Sequence, residues 1–370
     1  MKKSIDTPFL LAVCAIIIFG LLIFTSAALG LLARGSGATF TSVAVSQLLL
    51  GLVCGGVALI FFSRIDYRIW KPYTPYFFAF ALFLTILTFV PHVGLSLKGA
   101  ARWVSIGGFS FQPEEILKFA TVLFLAAVYS SKAKVVNTFQ GGLVPLLLIA
   151  GSGAVLLLLQ PNTDGVVVLG IASAGILFAA GGRLLHLGGL ALLGIVAVGG
   201  AALYYPHVSD RIHTFFDQSA DPRGAGYQIQ QSLIAVGSGQ MTGRGFGQSI
   251  QKFSYLPEPI GDSIFAVAGE EFGFVGSTLL VILFGTFGIL GLRIAARAPD
   301  MFGGLLVVGL VILIVGQSFV NIASTIGLVP LVGMPLIFVS HGGTALALSL
   351  AEVGIILSVS KRMRTKEQHI

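Results

Sequence analysis

The sequence predicts an all-α polytopic membrane protein with about ten transmembrane helices and one long extracytoplasmic loop. Three observations carry this. Of 370 residues, 55% are hydrophobic and only 10% are charged, where a soluble domain carries roughly 25% charged residues. Mean hydropathy is +0.95. Apolar runs of span length, ~20 residues, recur along the whole chain. Together they exclude a soluble globular enzyme, a disordered chain and a disulfide scaffold. A net charge of +7 would suggest nucleic acid in a soluble protein. In a membrane protein it is the orientation signal, so membrane lipid is expected as a partner and nucleic acid is not.

The runs fall near 9–32, 43–62, 75–93, 113–130, 141–160, 165–181, 184–205, 263–292, 303–326 and 342–360. The first follows Lys2 and Lys3 and is about twice the ~7–15 residues of a signal-peptide core, so it reads as a retained helix. No composition shift or repeat divides the chain, so residues 1–370 read as one transmembrane domain. Cys14 and Cys54 lie in apolar runs and read as small buried residues.

Lysine and arginine set the orientation. With the N-terminus inside, the inner segments hold fourteen of them and the outer segments seven, with Lys118 inside a span. Both termini are therefore expected in the cytoplasm. Tyr67, Trp70, Tyr73 and Tyr76 read as an interfacial belt on one side, and Tyr204 and Tyr205 on the other.

The outer side then collects the polar residues, in the 95–115 connection and the long 206–261 loop. Within that loop Ile229, Leu233 and Val236 share a helical stripe, as in a short helix lying in the leaflet. A glycine-rich stretch, GSGQMTGRGFGQS, follows at 237–249.

Charges within spans cost free energy and face partners or cavities. Lys118 lies one turn after Glu115 and can pair with it. Glu270, Glu271 and Glu352 serve either as ion pairs locking helices or as functional groups. Asp262 enters the eighth span. It can be a general base reaching a substrate in the leaflet, or an ordinary helix cap. Lys98, Arg102, Arg244 and Lys252 face the same side, with Lys118 below. They can hold a phosphate or pyrophosphate, or anchor headgroups. Gly243, Gly245 and Gly247 follow no strand and do not read as a dinucleotide site. His207, Asp210, His213 and Asp217 have a spacing a metal could use, in what reads as a mobile loop.

Three long stretches in this order resemble the SEDS family (shape, elongation, division and sporulation), the FtsW/RodA proteins. They are GAARWVSIGGFSFQPEEILK at 99–118, GYQIQQSLIAVGSGQMTGRGFGQSIQKFSYLPEPIGDSIFAVAGEEFGFVG at 226–276, and NIASTIGLVPLVGMPLIFVSHGGTAL at 321–346. The resemblance implies an inverting glycosyltransferase that polymerises lipid II, an undecaprenyl-pyrophosphate-linked donor, on the outer face of the bacterial cytoplasmic membrane. It implies Asp262 as the catalytic aspartate. It also implies Arg102, Glu115 and Lys118 as substrate-side residues, to which Lys98, Arg244, Lys252 and Glu258 are added. The implied partner is a class B penicillin-binding protein on the eighth and ninth spans. There Gly273, Gly276, Gly285, Gly288, Gly303, Gly304, Gly309 and Gly316 permit close helix approach. No organic cofactor and no protein-ligated metal is implied, and a divalent cation such as Mg is left open.

The chain departs from the family pattern at several positions. Ile260-Gly261 replaces histidine-threonine before the aspartate, and Glu114 stands where serine is common. The family's QPD reads Gln160-Pro161-Asn162, with Asp164 two residues on, and the late SYGG reads Ser340-His341-Gly342-Gly343. YLPEP leans toward the FtsW branch. Two rival readings remain at this level: a lipid II flippase using Lys118, Glu270 and Glu271, and a non-catalytic scaffold for a transpeptidase.

Overall fold

A computed structural model describes residues 5–33, 40–97, 100–106, 109–219, 221–222 and 224–363. Eight helices are long and apolar enough to cross a membrane: Thr7–Leu32, Phe40–Arg64, Tyr67–Phe89, Phe139–Leu159, Leu184–Tyr204, Ile264–Ala296, Met301–Thr325 and Gly343–Ser360. The apolar helix Thr163–Ala179 is shorter. Pro113–Ser131 carries Glu114, Glu115 and Lys118 in its first turns. All ten stand where the apolar runs place them, and they are numbered here as spans one to ten.

The ninth and tenth spans form the centre, with 67% and 78% of their apolar windows buried, against 6% for the seventh. Small residues permit that packing. A Cβ on Gly354 would lie 2.6 Å from Leu59 O, and one on Gly309 would lie 2.5 Å from Val122 Cγ1. The tenth span thereby seats on the second, and the ninth on the fourth.

Successive spans alternate, so their connections gather at two ends of the bundle. At one end Asp300 caps the ninth span through Gly303 N at 2.8 Å and takes Tyr67 Oη at 2.6 Å and Arg68 Nε at 2.8 Å. Burial raises the Asp300 carboxyl, but the bonds from Tyr67, Gly303 N and Arg68 outweigh it and hold it below the usual carboxylate range. Tyr67 is therefore buried rather than part of an interfacial belt, whereas Tyr73 and Tyr76 are exposed.

The other end holds the long connections. Before the fourth span, Gly94–Leu97 (β1), Ala100–Ile106 (β2) and Phe109–Phe111 (β3) form an antiparallel sheet in the order β1-β2-β3. Its residues alternate too briefly to announce strands in the sequence. The segment read as a mobile loop contains the helix Pro206–Phe216. The helix Ala225–Ser238 follows it. Its stripe packs on the eighth span, with Ile229 buried.

Residues 326–342 return into the bundle without helical structure, burying Leu336, Phe338 and Val339. Irregular backbone at membrane depth must find partners inside the protein. Gln47 of the second span supplies two, donating to Ser340 O at 3.1 Å and accepting from Gly342 N at 3.0 Å. Cys14 and Cys54 are free and exposed, not buried as read from the sequence. They sit on outward faces of apolar helices, where lipid rather than protein covers a small side chain.

Candidate active site

Asp262 lies just before the eighth span, and its main chain is fixed from three directions. Asn321 Nδ2 donates to Asp262 O at 2.9 Å, Ser340 Oγ to Gly261 O at 2.6 Å, and His341 N to Ile260 O at 2.7 Å. The helix begins after Ser263, which makes no side-chain cap bond. The Asp262 carboxylate does not cap the helix: Oδ1 accepts Gln228 Nε2 at 3.1 Å, and the same amide donates to Ser263 Oγ at 2.9 Å. Ser263 Oγ also donates to Oδ1, at 3.4 Å, so neutral donors hold a carboxylate that stands at a half-buried border, where a general base could work.

A second carboxylate stands beside it. Asp164 Oδ2 takes Arg211 Nη1 at 2.9 Å and Gly333 N at 2.9 Å. A Cβ on Gly333 would lie 3.2 Å from Arg211 Nη2, 3.7 Å from Asp164 Oδ2 and 3.9 Å from Asp262 Oδ2. Two acids and one guanidinium thus face one glycine, and a larger residue there would fill the space they share.

The hairpin between the fifth and sixth spans links this pair to the expected phosphate side. Gln160 Nε2 donates to Thr88 Oγ1 at 2.7 Å, and Arg102 Nη2 of β2 to Pro161 O at 2.6 Å. Asn162 Nδ2 donates to Glu114 Oε2. Arg102 Nε is buried with no partner among the described residues. Lys118 is fully buried, its Nζ donating to Glu115 Oε1 at 2.8 Å and to Gln317 Oε1 at 2.8 Å. Gln317 in turn donates to Pro335 O at 3.3 Å. Glu352 is buried close enough to Glu115 and Lys118 to interact electrostatically.

The cations of the long loop go elsewhere than expected. Lys252 is fully buried and bonds Glu271 Oε1 at 2.7 Å and Ser26 Oγ at 2.8 Å. Arg244 Nε lies 3.5 Å from Glu270 Oε1. Glu270 also takes Ser249 Oγ at 2.6 Å and Ile250 N at 3.0 Å. Glu270 and Glu271 are thus internal ion-pair partners, and Lys252 does not face outward.

The glycine-rich stretch has a structural task. The eighth span is broken at Gly273, where φ is +64°. Arg244 N and Gly245 N donate to Glu270 O and Glu271 O at 3.0 Å each, while Phe274 N and Val275 N donate to Gln240 O and Met241 O at 2.8 and 3.0 Å. The stretch splints the backbone groups that the break leaves open.

Glu258 is exposed at φ +46° and acts electrostatically on His341. Lys98 lies outside the described residues. No three His, Cys, Asp or Glu side chains converge as metal ligands among the described residues. A cavity of about 420 Å³ between the sixth, eighth and ninth spans lies at the Asp300 end, away from these groups. Arg211, Gln228, Asn321 and Gln317 escaped the sequence reading. Each acts across more than 30 residues of sequence, and only Arg211 had a local signal, its charge on the expected outer side.

Comparison with known proteins places this geometry in context. A family model described as Cell cycle protein, for FtsW, RodA and SpoVE, matches residues 7–365. The stage V sporulation protein E of Bacillus subtilis is 40% identical over 311 residues, 84% of this chain and 85% of its own. A probable peptidoglycan glycosyltransferase FtsW of Geobacter sp. (strain M18) is 36% identical over 316 residues, 85% of each chain. Among solved structures, a chain of a peptidoglycan synthase complex that coordinates polymerization and crosslinking superimposes with a TM-score of 0.75 at 26% identity, over 96% of this chain and 98% of its own. The chain belongs to the FtsW/RodA/SpoVE family.

Proposed function

We propose that this chain is a peptidoglycan glycosyltransferase that polymerises lipid II, with Asp262 as the general base. The observation that carries the reading is the Asp262 carboxylate, its main chain fixed from three directions and its Oδ2 facing Gly333 together with Asp164 and Arg211. The acceptor sugar hydroxyl loses its proton to Asp262 as it attacks the anomeric carbon of the donor. The bond to pyrophosphate breaks as the new one forms, so the configuration inverts and no glycosyl-enzyme intermediate is needed. Negative charge develops on the leaving pyrophosphate. Arg102, half-buried on β2, is the cation that meets it. Lys118 and Glu115 act from beneath by holding the fourth span to the ninth. Transport of lipid II loses its motive, because Lys118, Glu270 and Glu271 are engaged in ion pairs within the protein.

The test is purified protein with lipid II, products sized on a gel. Asp262→Asn keeps the shape but cannot take a proton at neutral pH. It should stay folded and bind lipid II while losing ~10²–10⁴ in rate. Glu258→Gln, four residues earlier and exposed, should lose far less. Turnover by Asp262→Asn within a few-fold of wild type would transfer the role to Asp164.

The multi-pass protein is oriented with both termini in the cytoplasm and Asp262 outside, in the bacterial cytoplasmic membrane. Its partner is a single-span class B penicillin-binding protein, a transpeptidase. Most glycines expected to receive that partner are used internally: Gly303 meets Tyr67, Gly309 meets Val122 and Ile176, and Gly288 faces Val315. Open space remains at Gly285, which shares a face with exposed Ile282 and Ile289 on the eighth span. Photocrosslinkers at Ile282 and Ile289 should capture the transpeptidase in cells. Capture only from the first and second spans would refute the placement.

A further inference from the structure

Glu114 joins the two halves of the candidate site. It is buried, 5% exposed, in the first turn of the fourth span. One oxygen accepts Asn162 Nδ2, and the other lies 3.7 Å from Lys118 Nζ. The Asn162 amide cannot be turned round. Its Oδ1 accepts Gly165 N at 3.1 Å as the cap of the sixth span, so its NH₂ must face Glu114. Only an acceptor at position 114 suits a capping asparagine at 162.

The neighbours of Asn162 explain why this contact matters. Pro161 receives Arg102, and Asp164 holds Arg211 and Gly333 N beside Asp262. The hairpin tip therefore stands between the cation and the two carboxylates, and Glu114 is the group that sets it against the fourth span.

We propose that Glu114 is a positioning residue for glycosyl transfer: through Asn162 it fixes the hairpin tip, and so the placement of Arg102 and Asp164 relative to Asp262. This rests on the polymerase reading. It assigns Glu114 no contact with substrate.

Isosteric exchange tests it. Asn162→Asp sets two carboxylates against each other in a buried contact and should lower lipid II polymerisation at least ~10-fold. Glu114→Gln keeps an acceptor but loses the charge, and should cost about threefold. The double variant Glu114→Gln/Asn162→Asp reverses donor and acceptor, while the new carboxylate at 162 still accepts Gly165 N as the helix cap. It should therefore return to within about threefold of wild type. Thermal midpoints on the same samples give turnover per folded molecule. The proposal is overturned if Asn162→Asp polymerises like wild type, if the double variant is no better than Asn162→Asp, or if lost activity merely follows lost folded protein. If wild-type protein does not lengthen glycan, the polymerase reading itself fails. Binding of fluorescent lipid II in nanodiscs then reads the same cycle, and failure of the double variant to restore binding overturns the positioning role on its own.

Discussion

Two lysines that the sequence sets on the substrate side, Lys118 and Lys252, have no exposed surface at all. The reason is the solvent around them. A fully buried lysine cannot stay charged without a carboxylate at hydrogen-bond distance, and each has one, Glu115 at 2.8 Å and Glu271 at 2.7 Å. For Lys252 the consequence is specific. Lys252→Met keeps the apolar stem and strands Glu271, whose remaining donors are Ser26 Oγ and Ser249 N. Breaking a buried pair from one side costs on the order of 3–5 kcal/mol, whereas replacing both partners with neutral groups costs far less. Lys252→Met should therefore lower the thermal midpoint of the purified protein clearly, and Lys252→Met/Glu271→Gln should recover most of it. Turnover per folded molecule should change little in either. A Lys252→Met protein that melts normally but no longer polymerises lipid II would return Lys252 to the substrate.

Elements were legible to the extent that one periodic signal governs them. Nine of the ten spans stand within about four residues of the apolar runs, and the third starts earlier, at Tyr67 rather than 75, because hydrocarbon length fixes the run and lipid demands an intact backbone ladder. Asp262 and Arg102 were legible through motif resemblance, and the Lys118–Glu115 pair through helical spacing alone. What stayed hidden depends on contacts remote in sequence. The break at Gly273 lies inside a continuous apolar run, and its splint comes from residues 240–245, about 30 positions earlier. The glycines of that stretch look like a ligand cradle in sequence because a phosphate and a broken helix ask the same thing of a backbone, which is unobstructed N–H groups. Gly243 and Gly245, at φ +82° and +106°, shape the turn that brings those groups to carbonyls of the eighth span. The return of residues 326–342 was equally silent, since its partner Gln47 sits in a span nearly 300 residues away.

At the scale of the whole molecule, the two ends of the bundle differ in how many lysines and arginines they leave exposed among the described residues. At the Asp262 end Arg211, Lys252 and Arg244 stand against Asp164, Glu271 and Glu270 in compact polar clusters. At the other end Arg68 pairs with Asp300 and Arg362 with Asp66, but Arg64, Lys132, Lys134, Arg183, Arg293 and Arg297 all lie exposed in or beside the short connections. Lysine and arginine in short loops and near span ends hold a segment in the cytoplasm, with little regard to acidic neighbours. The expected orientation therefore puts Asp262 outside. In a background with Cys14 and Cys54 replaced by alanine, single cysteines at Ser219 and Asn137, both exposed in the structure, make the measurement. An impermeant maleimide applied to intact spheroplasts should label Ser219→Cys at once and Asn137→Cys only after permeabilisation. Labelling of both from one side would contradict the alternation of the spans. The reverse order would keep the fold but turn Asp262 toward the cytoplasm, and with it the proposed polymerisation on the outer face would fall.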